Sequence, residues 1–162
     1  WRNPSFYTLK STFQPENWWK SMEVARMLLT LLSRKEKLKF LDMAMHMVSV
    51  DGEPTSVEQR LLNMLLAEVG DGIVQEYHFA LSKDLNETLE FFESTNKTVK
   101  NIVYYNLMKV AMTDDFYNTT EHFFLEEIRE RFQIDEAKKK QLMNLVFAER
   151  DLRERAKRVV SH

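Results

Sequence analysis

The stretch FLDMAMHMVSVDGEPTSVE, residues 40–58, decides the reading of the chain. Leu38, Leu41, Met45 and Val48 step by three, four and three, which places them on one face of a helix. Asp51-Gly52 stops that helix, because glycine takes the backbone conformations that end one. A second helix opens at Thr55 or Ser56 and runs to Val69, with Leu61, Leu62, Leu65 and Val69 facing inward. Two helices joined by a short acidic junction are therefore expected.

Moving outward by 63 residues, the pattern recurs. Residues 35–69 lie over residues 98–132, and apolar positions coincide at 40/103, 41/104, 44/107, 45/108, 47/110, 48/111, 61/124, 62/125, 65/128 and 69/132. The polar register follows, with Asp51 over Asp114 and Glu58 over Glu121. Two similar helix pairs are implied, repeat 1 over about 35–69 and repeat 2 over about 98–132.

The rest of the chain also reads as helix. Pro15 stands near the start of an opening helix outlined by Trp18, Met22, Ala25, Leu28, Leu29 and Leu32. Gly70-Asp71-Gly72 breaks the chain, after which Ile73, Tyr77 and Leu81 suggest one short helix and Leu85, Leu89 and Phe92 another. Val99 to Ala111 and Phe124 to Phe132 follow, and the series Leu142, Leu145, Val146, Leu152, Ala156 and Val159 implies a long terminal helix. The expectation is an all-α fold of about seven or eight helices, with 1–15 irregular and 16–162 a single domain.

Composition agrees. Three glycines and three prolines in 162 residues leave few tight turns, against sandwiches and barrels. Glycines only at 52, 70 and 72 also rule out the usual phosphate-cradling loops. With no cysteine, disulfides, thiolate metal sites and cysteine nucleophiles all fall away, which permits a reducing interior, and a cytoplasmic setting is the expectation. Three Asn-x-Ser/Thr triplets, at Asn86, Asn96 and Asn118, read as chance matches. The longest apolar run, Met27 to Leu32, is too short for a membrane span. Starting at Trp1, the chain is expected to derive from a longer precursor with an anchor or further domains.

Charge is uneven: residues 1–50 carry +4, 51–100 carry −6 and 101–162 balance, for a net −2. The acidic middle is where a cation would bind, and a nucleic-acid role is disfavoured. Lys138-Lys139-Lys140 and the stretch Arg150 to Arg158 are the basic candidates, and a solvated, salt-bridged helix face accounts for both.

The acidic junctions admit two accounts. In the plainer one, Thr55 with Glu58 and Asn118 with Glu121 have capping-box spacing, and Asp51 and Asp114 hold the chain reversals. In the other, Asp51, Glu53 and Glu58, and separately Asp114, Asp115 and Glu121, bring three carboxylates to one interhelical loop, the start of a hard-cation site. Neither loop has the ligand spacing of an EF-hand.

Residues 40–58, with VAMTDDFYNTTE at 110–121 as a second copy, resemble the repeat of TerB domains of the tellurite-resistance type, in which a helix ends in Asp-Gly and the next opens with glutamate. The resemblance covers about residues 35–135. It implies an all-helical, non-enzymatic, stress-associated module that binds a divalent cation, calcium before magnesium or zinc, and engages protein partners. It also implies association with the inner face of a membrane. The ligands it implies are Asp51, Glu58, Asp114 and Glu121, with Glu53 and Asp115 as auxiliaries. One departure is Asp115, which stands where the motif has glycine. The alternatives are a structural protein-interaction domain without metal and a metal-dependent hydrolase.

Other residues carry weaker signals. Asp42 and His46, four apart, share a helix face as a base and its orienter would, or as a surface hydrogen bond. No histidine has a glutamate three residues before it, so the Glu-x-x-His of di-iron bundles is missing, as is the Gly-x-Ser-x-Gly elbow. Met43, Met45 and Met47 read as core filling. Of Trp18 and Trp19, the first is expected to pack inward and the second to tolerate replacement by alanine.

Overall fold

The computed structural model describes residues 28–49, 56–77, 84–112 and 119–162. Among these residues are a 3-10 turn at Leu29–Leu31 and seven α-helices: α1 (Arg34–Ser49), α2 (Ser56–Val69), α3 (Asp71–Glu76), α4 (Leu85–Glu93), α5 (Lys97–Ala111), α6 (Thr119–Arg131) and α7 (Glu136–Ser161). No strand occurs among them. The all-α expectation holds. Residues 1–15, Pro15, Trp18, Trp19, Met22 and Ala25 lie outside the described residues.

Helix α5 is the centre of the fold. It packs on α1, α2, α4, α6 and α7, so its apolar residues are covered from several sides and a single stripe does not suffice. Val99, Ile102, Val103, Tyr104, Leu107, Met108, Val110 and Ala111 are all buried. Asn106 is buried with them, and its side-chain amide donates to the Ile102 carbonyl oxygen at 2.8 Å, which removes the cost of burying it.

The same logic corrects the face assigned to α1. Leu41 and Val48 are buried as expected, but Leu38 and Met45 are only half-buried, while Phe40, Met43, Ala44 and Met47 are fully buried. Contacts to α4 and α5 on two sides widen the buried arc. Met43 and Met47 are core residues, in keeping with their reading as filling. In α2, Leu62, Leu65 and Val69 are buried, while the Leu61 side chain is not described.

Helix ends follow local chemistry. Asp84 accepts from the Asn86 N–H at 2.9 Å, Asn96 from Val99 at 3.0 Å and Asp135 from Lys138 at 2.7 Å, each satisfying a donor that its helix leaves unpaired. The break expected over Gly70-Asp71-Gly72 is confined to Gly70, whose φ of 100° makes the turn by itself. Asp71 can then open α3, where the helix dipole favours an acid. Tyr77, expected inside this short helix, caps its end in an extended conformation.

Arg34 and Lys97, which begin α1 and α5, are 63 residues apart, and so are Ser56 and Thr119, which begin α2 and α6. Buried side chains coincide at the same offset: Phe40 with Val103, Leu41 with Tyr104, Ala44 with Leu107, Met47 with Val110, and Leu65 with Ile128.

Candidate functional site

The two acidic junctions connect α1 to α2 and α5 to α6. Asp51, Glu53, Asp114 and Asp115 lie outside the described residues, and Glu58 lies in α2 with its side chain not described. Glu121 is the expected ligand whose surroundings are visible. It sits in the first turn of α6 at 3% exposure, the one buried acid or base among the described residues. It has a partner, and no buried side-chain oxygen or nitrogen among the described residues lacks a hydrogen bond. A carboxylate is favoured here by the unpaired N–H groups of the helix start.

A ring contact brings the helix ends beside the junctions together. His46, in the last turn of α1, lies 4.8 Å from the Phe124 ring in the second turn of α6. Ser49 and Thr119, the helix ends flanking the first and second junctions, are each within two turns of that contact. Burial lowers the His46 pKa, with Glu127 pulling the other way, so the ring is held toward its neutral form. Among the described residues no group of three or more His, Asp or Glu side chains is arranged to hold a metal ion.

Asp42 and His46 part company in the fold. Asp42 Oδ1 accepts from the Tyr77 hydroxyl at 2.7 Å, and both residues line a groove of about 500 Å³ between α1, α3 and α4. Burial and the hydrogen bond to Asp42 both push the Tyr77 pKa well above its ordinary value, so this hydroxyl is a fixed donor. Among the lining residues, Lys39 pairs with Glu87 at 3.0 Å, and Lys35 lies over the Phe91 ring at 5.1 Å. These charges are answered within the groove.

A second tyrosine–carboxylate pair joins α5 to α7. The Tyr105 hydroxyl donates to Glu149 Oε2 at 2.8 Å, and Glu149 also meets Lys109 at 3.2 Å and Arg153 at 3.2 Å. Burial pushes the Glu149 pKa up, but the Tyr105 hydrogen bond and the two cations outweigh it and the net shift is downward. Beside the start of α7, Glu126 of α6 is likewise held low against burial by Lys139 and Arg129. Arg129 further donates to the Ile134 carbonyl oxygen at 3.2 Å, fastening the end of α6 to the start of α7.

Comparison with family models, with curated proteins and with solved structures finds no match for this chain.

Neither tyrosine pair was visible in the sequence. Their partners lie 35 and 44 residues apart, beyond the reach of any helical spacing rule. Asp42 and Tyr105 are 63 residues apart, and each takes part in a hydroxyl–carboxylate bond, Asp42 as the acceptor and Tyr105 as the donor.

Proposed function

We propose that this chain is a non-enzymatic, TerB-like module, associated with stress and tellurite resistance in the cytoplasm, whose acidic interhelical junctions bind a divalent cation and whose surface engages protein partners. Calcium is preferred on chemistry, since carboxylates and loop carbonyls are hard oxygen ligands and the chain has no thiolate to select zinc. The ligand set is Asp51, Glu58, Asp114 and Glu121, with Glu53 and Asp115 as auxiliaries. The reading is supported by one observation above all: both helix pairs begin 63 residues apart and bury side chains at matching positions, as two copies of one helix pair would.

Calorimetric titration of the 162-residue chain with Ca²⁺, Mg²⁺ and Zn²⁺ tests it. Calcium heat that disappears in Asp114→Asn with Glu121→Gln supports the reading. No heat at millimolar cation, or heat unchanged by the double substitution, removes it.

The place of Glu121 in the first turn of α6, where a capping-box glutamate stands, favours a second reading, in which the acids are caps and turn residues of a structural interaction domain that binds no metal. In that case stability is indifferent to calcium. Metal-assisted hydrolysis stands behind both, because no base and open metal position are assigned to it.

A further inference from the structure

The outer half of α7 carries an apolar stripe that the described fold does not cover. Val146 is the buried side chain of this 26-residue helix, and every residue beyond Arg153 is exposed. Leu145, Leu152, Ala156 and Val159 are spaced seven, four and three apart, within about 60° of one another around the helix. Leu152 is 66% exposed, Val159 79% and the adjoining Val160 85%. The remaining circumference over residues 150–158 holds Arg150, Arg153, Arg155, Lys157 and Arg158 against Asp151 and Glu154, five cations to two acids and a net +3. Arg153 and Arg155 border the stripe on opposite sides, where their aliphatic stems can follow an apolar surface while the guanidinium groups reach outward.

We propose that this face lies flat on an anionic lipid bilayer, with Leu152, Val159 and Val160 entering the headgroup–acyl boundary and the bordering cations meeting the anionic headgroups. Charge selects this occupant. A second copy of the helix would set a net +3 against a net +3, so self-pairing works against its own electrostatics. Nucleic acid would answer the cations but leave the leucine and valine stripe in water. No helix among the described residues is long and apolar enough to cross a membrane, so the contact is with the surface. The proposal is independent of the cation reading, which concerns the junctions that follow α1 and α5.

Co-sedimentation of the 162-residue chain with vesicles tests it. At low salt, binding to mixed phosphatidylserine–phosphatidylcholine vesicles is expected to exceed binding to pure phosphatidylcholine by about tenfold or more, and to fall as salt rises. Leu152→Glu with Val159→Glu should abolish it with an unchanged thermal melt, and Arg155→Glu with Arg158→Glu should abolish it with the stripe intact. The proposal is overturned if the wild-type chain stays in the supernatant, if neutral vesicles bind equally, or if the Leu152 and Val159 substitutions leave binding intact. It is equally overturned if those two substitutions instead dissolve a dimer seen by light scattering.

Discussion

Tyr105 and Glu149 tie the central helix to the terminal one through a 2.8 Å hydrogen bond, with Lys109 and Arg153 completing the cluster around the carboxylate. The bond is half-buried, so it is stronger than a surface contact but still shares its charge with water. Tyr105→Phe keeps the ring in its place and deletes the hydroxyl, and should cost about 1.5 kcal/mol in urea unfolding, the low end for a bond to a charged group. Glu149→Ala should cost more, because it leaves Lys109, itself mostly buried, facing Tyr105 without its acid. Equal losses in the two variants would mean that the hydroxyl carries the whole interaction.

Stability should fall with acid in two steps. His46 has a pKa below its ordinary 6.5 in the folded chain, so the unfolded chain takes up its proton first. Its contribution is complete above about pH 6.5 and declines as pH drops below that value. Glu126 and Glu149 are depressed below the ordinary 4.5, so their contributions are complete above about pH 4.5 and are lost as pH falls through the folded values. Urea midpoints measured from pH 8 to pH 3 should show both declines. His46→Gln should flatten the upper one, and Glu126→Gln with Glu149→Gln the lower.

Glu121 separates the cap from the ligand. Glutamine serves a capping box as well as glutamate does, so Glu121→Gln should leave the metal-free stability within about 0.5 kcal/mol, whereas Glu121→Ala should lose about 1 kcal/mol or more. A cation bound at this junction would add stability in proportion to its occupancy, about 2.7 kcal/mol at a hundredfold excess over Kd. On the proposed function, added calcium raises the wild-type melting temperature and leaves that of Glu121→Gln unmoved. A wild-type melt indifferent to calcium, with Glu121→Ala still weakened, leaves the carboxylate as a cap alone.

Much of the backbone was legible because each helix carries its own stop and start. Gly70 acts on its immediate neighbours, so a local reading finds its break; Asn96 and Asp135 cap α5 and α7 just as locally, but the sequence reading did not single them out as caps. The buried arc of α1 was not legible in the same way. Leu38 and Phe40 are equally apolar, and only the arrival of α4 and α5 decides that Phe40 is the one enclosed. The terminal helix shows the same gap from the other side: Val146 and Leu152 belong to one periodic series, yet the first is buried and the second stands in solvent. Periodicity reports that a face is apolar and says nothing of what covers it. Of the candidate site, the position of Glu121 at a helix start was readable from the capping spacing. Its burial was not, because that depends on residues far away in sequence.

The scarcity of glycine leaves one helix end strained. Gln133 follows α6 at φ 54°, and the Ile134 N–H reaches back to the Arg129 carbonyl oxygen at 3.0 Å, the long bond of a left-handed helix cap. Glycine is the usual residue there, since a side chain in this conformation costs roughly 1 kcal/mol. Ile134, buried just beyond, holds the turn in place despite that cost. Gln133 is exposed, so removing its side chain sacrifices little packing. Gln133→Gly should therefore stabilise the fold by about 0.5–1 kcal/mol, a rise of about 2–4 °C in Tm at the upper end. Gly70→Ala supplies the converse: its φ is 100° and a Cβ there would meet nothing within 4 Å, so any loss must come from the backbone. A loss of about 1 kcal/mol or more is expected in that variant. If Gln133→Gly melts no higher than the wild-type chain, the left-handed turn is not where stability is being given up.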